Sequence, residues 1–197
     1  MEVDIEMEYG LMETPFMLIP FYEMNKKQAE QYFQWFMLEK ENRIHQLEQY
    51  AKQSVDSILL DKTPESLVDL WEWFEEHIEW EDKSEQEIED ELKGRPDWMK
   101  PHILADTKKM TVLTLALGMD ISIYFGETLI CNNPSIYWGY RRSPKKLDGV
   151  NRPILLGFKG DVCVFPYTLI KVCIRESTEN KDKYKLLELY DIWCKNI

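Results

Sequence analysis

Residues 110–131 read MTVLTLALGMDISIYFGETLIC, Met110 to Cys131, an almost continuously apolar run with only a few strongly polar side chains. The run is longer than an ordinary strand, which predicts a helix buried in the core rather than an amphipathic surface helix. A membrane span is the rival reading. Asp120 and Glu127 argue against it, because carboxylates are costly at that depth, and no second comparable segment is present. The two carboxylates stand seven residues apart and share one helix face. On roughly the opposite face Thr114, Gly118, Ser122 and Gly126 form a stripe of small residues, suited to close approach by another element.

The segment before this run predicts two helices. Asn25 followed three residues later by Gln28 makes a capping-box start, and Ala29, Phe33, Phe36, Met37, Ile44, Leu47 and Ala51 mark one buried face. Lys40 interrupts that stripe and is expected to carry its charge outward. Thr63 and Pro64 open the second helix, with Leu67, Leu70, Trp71, Phe74 and Ile78 on its apolar side. The acid-rich residues 81–97 hold a third helix start, Ser84 with Glu87, and are expected to be a solvent-facing excursion. Pro96 and Pro101 flank Trp98 as a rigid joint. Residues 17–24 read as an edge strand or an extended stretch packed on the core.

After Asn132-Asn133-Pro134 the pattern turns strand-like at 136–140, 154–158 and 162–165, with a basic hairpin-sized loop from Arg141 to Arg152. Pro166 opens a short helix, and a last one is expected from Asn180 to Cys194. The fold class implied is α+β and mainly helical. Helices 26–53, 64–80 and 107–131 would pack on a small antiparallel sheet of about three strands in a single domain spanning 1–197. A division into an acidic helical lobe, 1–100, and a lobe of core helix plus sheet, 101–197, remains open.

Charge is unevenly distributed. Residues 1–100 carry 10 Lys/Arg against 26 Asp/Glu, net −16, whereas 101–197 carry 14 against 10, net +4. Such acidity disfavours nucleic acid and anionic membrane as partners and suits a basic protein. Ser143-Pro144-Lys145-Lys146 reads as a local basic loop, since one such copy on an acidic chain is poor support for DNA binding. Cys131, Cys163, Cys173 and Cys194 form no C-x-x-C pair. With the acidic start MEVDIEMEYG they predict mostly buried free thiols in a reducing cytoplasm. His45, His77 and His102 are dispersed, so neither a metal nor a cofactor is expected.

No phosphate-binding loop, dinucleotide fingerprint or nucleophile elbow is present. Two constellations remain. Asp120 and Glu127 are either structural carboxylates or the polar groups of a pocket, and Arg141, Arg142 or Arg152 would pair with a buried Glu127. Glu72, Trp73, Glu76 and Trp80 sit partly off the apolar stripe of their helix, and form the candidate partner-binding face.

The segments IPFYEMNKKQAEQYFQWFMLEKENRIHQLEQYA, LDKTPESLVDLWEWFEEHI and GMDISIYFGETLICNNPSIYW, then RPILLGF and VFPY, resemble a group of small bacterial proteins of unknown function from Bacillus-like organisms. The positions that carry the resemblance are Gly126, Glu127, Trp138, Pro153 and Pro166, within residues 14–175. Some of those proteins lie beside secreted polymorphic toxins and are thought to be immunity factors. The resemblance therefore implies a non-enzymatic, toxin-neutralising binding protein. Two other readings stay open: an enzyme or small-ligand binder around Asp120 and Glu127, and a structural or regulatory subunit of a homo-oligomer.

Overall fold

The computed structural model describes residues 8–143 and 149–197. Helix α1, Lys26–Ala51, starts at the expected capping box: Gln28 N donates to Asn25 Oδ1 at 3.0 Å, and Asn25 N to Gln28 Oε1 at 3.0 Å. Helix α2 is Ser66–Glu75. It stops well before the expected Trp80 for a tertiary reason. Glu79 N donates to Thr114 Oγ1 at 2.9 Å, while its carbonyl accepts from Thr111 N at 3.1 Å. Those bonds draw the chain into a short strand, β1, Trp80–Asp82.

Strand β1 pairs antiparallel with β2, Lys108–Met110, in the register Trp80↔Met110 and Asp82↔Lys108. Between them lie helix α3, Glu85–Leu92, and helix α4, Lys100–Ala105. The residues expected to begin the central helix at 107 are thus in a strand. Helix α5 runs Val112–Asn132, with Thr111 Oγ1 accepting from Thr114 N at 3.2 Å as its cap. By length and composition α5 is apolar enough to cross a membrane, yet it is mostly buried within the fold. Every residue from Asp120 to Leu129 is buried.

Strands β3, Tyr137–Gly139, and β4, Ile154–Leu156, form a second antiparallel pair. The expected third strand contributes only a bridge, in which Leu155 and Val164 exchange backbone bonds of 2.9 and 3.0 Å. Pro166 cannot extend that pairing; it starts α6, Pro166–Ser177. Helix α7, Lys185–Cys194, closes the chain and begins later than Asn180. The expected basic loop is described only at its ends, since residues 144–148 lie outside the described set.

Among the described residues the molecule is α+β, mainly helical, with seven α-helices and two two-stranded antiparallel sheets. Helix α5 is the axis, packed between α1 and α6. One apolar cluster joins Leu47 and Trp71 to Phe125, Ile170 and Leu186. The small-residue stripe does what its size allows. A Cβ on Gly118 would stand 3.0 Å from Ile174 Cδ1, and one on Gly126 only 2.3 Å from Trp138 Cζ2. The leader is extended rather than a strand, broken by one helical turn at Phe21–Glu23. It is held to α1 by ring contacts, Phe16 to Trp35 and Phe21 to Tyr32.

Candidate functional site

The two carboxylates of α5 meet α1 in a charged seam. Asp120, 0% exposed, accepts from Arg43 Nε at 3.0 Å and Nη2 at 2.5 Å, and from the Tyr9 hydroxyl. Arg43 also donates to Gly10 O at 2.9 Å and to Gln46 Oε1 at 2.8 Å. Burial, reinforced by the Asp120 charge, pushes the Tyr9 phenol far above its ordinary range, so it serves only as a neutral donor. Burial also raises the Asp120 carboxyl, against the opposing pull of Arg43. The arrangement encloses the carboxylate and leaves no face for a substrate.

Glu127 is buried, as expected, but its cations are lysines. Lys40 Nζ lies 2.9 Å and Lys62 Nζ 3.5 Å from it, and Trp138 Nε1 donates to it at 2.7 Å. Neither Arg141 nor Arg152 takes the expected role: the Arg141 carbonyl accepts from Asn151 N, and the Arg152 guanidinium lies 5.2 Å from the Phe21 ring centroid. The strand pair places Trp138, not an arginine, against Glu127. Lys40 consequently points inward, the reverse of its expected direction. Lys62 holds a left-handed backbone, φ 63°, with its N–H on the Tyr124 hydroxyl at 2.9 Å and its carbonyl on Asn132 Nδ2 at 2.9 Å. Those bonds offset the strain of a non-glycine residue in that region.

Of the expected partner face only part lies at the surface. Trp73 is buried, 5% exposed, with its indole N–H on Ser54 Oγ at 2.8 Å, and Trp80 is half-buried in β1. Glu72 and Glu76 are exposed but reach within the molecule, to Lys183 at 3.4 Å and Lys181 at 2.7 Å. The periodicity that left Trp73 off the stripe assumed one buried face. Helix α2 packs on more than one side, so its second tryptophan is core.

A different surface stands out at 80–110. Strands β1 and β2 form the stalk of an arm carrying α3, a turn at Asp97–Met99, and α4; none of the residues in these three segments is buried. Ser84 and Glu87 make the expected capping box, and Lys109 Nζ reaches Glu87 Oε1 at 2.5 Å. The Lys109 bond, followed by those from Ser84, pushes the Glu87 carboxyl down to about 2. Lys83 ties the arm together by reaching Glu91 at 3.1 Å and Asp106 at 3.2 Å. Outside this frame Glu85 and Glu89 are exposed, as are Asp90, paired with Lys93 at 2.5 Å, and Asp97, paired with Lys100 at 2.7 Å. Two large apolar side chains stand among them, Trp98 at 72% and Leu104 at 56% exposure. Trp98 reads from sequence as part of a rigid joint; the available signal for more was a tryptophan inside an acidic stretch with no apolar stripe to join.

Among the described residues no group of three or more His, Cys, Asp or Glu is placed to hold a metal. All four cysteines are free; only Cys173 is buried, Cys163 and Cys194 are half-buried, and Cys131 is exposed, against the expectation of mostly buried thiols. No protein-family model, curated protein or solved structure matches the chain.

Proposed function

We propose that the protein is a non-enzymatic binding module that captures a basic protein partner with the arm at 80–110. The observation that carries this is the exposure of Trp98 and Leu104 on an arm that carries nine carboxylates against six Lys/Arg over residues 80–110. An exposed tryptophan beside a second apolar side chain is the composition of an interface anchor, and surrounding charge accelerates encounter with an opposite surface. The charged seam supports the same reading from the other side, because Asp120 and Glu127 are committed to cations of the chain itself. In the immunity role that the sequence resemblance implies, the partner is a basic toxin, neutralised in the cytoplasm by steric and electrostatic occlusion.

The test is affinity capture from the native host, then kinetics with the purified partner. Trp98→Ala raises the dissociation rate, with a cost of about 2 kcal/mol or more. Changing Glu85, Glu89 and Asp90 to Lys slows association, and added salt slows it likewise. A partner retained unchanged by both variants overturns the proposal.

A further inference from the structure

A cavity of about 200 Å³ lies where the leader, α1, α5 and the start of α6 meet. Its walls are apolar and aromatic, among them Phe36, Ile123, Trp138 and Phe165. It shares Arg152, Tyr167 and Thr168 with an adjoining groove of about 310 Å³ that adds Lys171 and Arg175, so the two are continuous. Among the described residues no carboxylate lines either space, in a chain of net charge −12.

We infer that this paired cavity and groove bind a small amphipathic carboxylate, its apolar body in the cavity and its anionic end at Arg152. Volume sets the body: a space of roughly 150 Å³ admits a benzene ring, so a single aromatic ring or a short acyl chain fits the cavity, with the head directed toward the groove. Polarity sets the head. Tyr32 lines the cavity, is 8% exposed, and its hydroxyl has no hydrogen-bond partner among the described residues. Burial pushes that phenol up to about 12 while the Arg152 charge pulls the other way, which leaves a neutral donor near a cation. Arg152 is exposed and forms no ion pair among the described residues. Its guanidinium rests on the Phe21 ring, so its fork is held at the mouth, with no carboxylate paired to it among the described residues. Lys171, over the Tyr167 ring at 5.7 Å, adds a second cation.

The test is calorimetric titration of the full chain with octanoate, 3-phenylpropionate, their neutral amides, and inorganic phosphate. Either carboxylate binds, its amide binds about tenfold more weakly or worse, and phosphate alone does not saturate the site. Which of the two carboxylates is tighter reports whether a chain or a ring is the natural body. Arg152→Gln lowers carboxylate affinity about tenfold and abolishes the preference over the amide, with an unchanged melting temperature. Tyr32→Phe weakens the carboxylate and spares the amide. If neither carboxylate binds, if amides bind equally well, or if phosphate matches the carboxylates, the inference is wrong.

Discussion

The seam between α1 and α5 and the arm at 80–110 are built from the same chemistry, carboxylates facing lysine or arginine, and differ in where the water is. In the seam Asp120 and Arg43 are buried side chains with 0% and 4% exposure. On the arm Glu87 and Lys109 remain 42% and 37% exposed at a similarly short distance. Removing one member of a buried pair strands a desolvated charge, whereas an exposed charge returns to solvent. Geometry alone would rank the two alike. Burial ranks them differently: the seam's pair holds the fold, and the arm's pair adds little to it.

The largest expected effect is at the seam. Asp120→Ala leaves Arg43 and the Tyr9 hydroxyl without their acceptor and is expected to cost about 3–5 kcal/mol, read as a fall in the urea midpoint. Glu127→Ala takes the acceptor from the Trp138 indole but leaves Lys40 and Lys62 paired with Glu41, so it is expected to cost less, about 2–3 kcal/mol. An unchanged midpoint for either would remove the distinction between seam and arm. Gly126→Ala tests close approach in the same place: the added methyl must displace the Trp138 ring, at a cost of about 1–3 kcal/mol. Lys109→Ala on the arm is expected to cost less than about 1 kcal/mol despite its short contact.

The smallest effect is a local one in pH. The folded Glu87 carboxyl is pushed down to about 2 from an unperturbed 4.5, so its contribution to the arm is complete above about 4.5 and is lost as pH falls through about 2. Glu87→Gln should therefore lower amide protection around Ser84 and Glu87 near neutral pH, a difference that shrinks as pH falls through about 2. A gap that persists in acid would show that the variant acts through the cap rather than the charge. Thiol labelling draws the same line: Cys131 should react first and Cys173 last, since Cys173 is buried and its thiol is pushed up to about 11 by burial.

Local signals carried much of this architecture in the sequence. Caps at Asn25 and Ser84 act within one turn, and an uninterrupted apolar run has few fates, so α1, α3 and α5 were readable. Long-range bonds were not. The early stop of α2 depends on Thr114, thirty-five residues beyond Glu79. The partners of Glu127 are likewise set by tertiary placement: Lys40 comes from α1 and Lys62 from a loop held in a left-handed conformation. Trp73 misled because a helical stripe shows one buried face and α2 has more. Trp98 was visible as a residue but not as an exposed one, because exposure depends on β1 pairing with β2 and lifting 83–107 off the core.

That pairing also supplies the most direct test. Asp82 and Lys108 lie opposite each other, so residues 83–107 can be replaced by an Asn-Gly turn that closes the hairpin. Binding of the captured partner to this shortened chain, measured beside its urea midpoint, separates the two regions in one protein. The account predicts a midpoint near that of the full chain and loss of binding. Retained binding with an intact fold would contradict it.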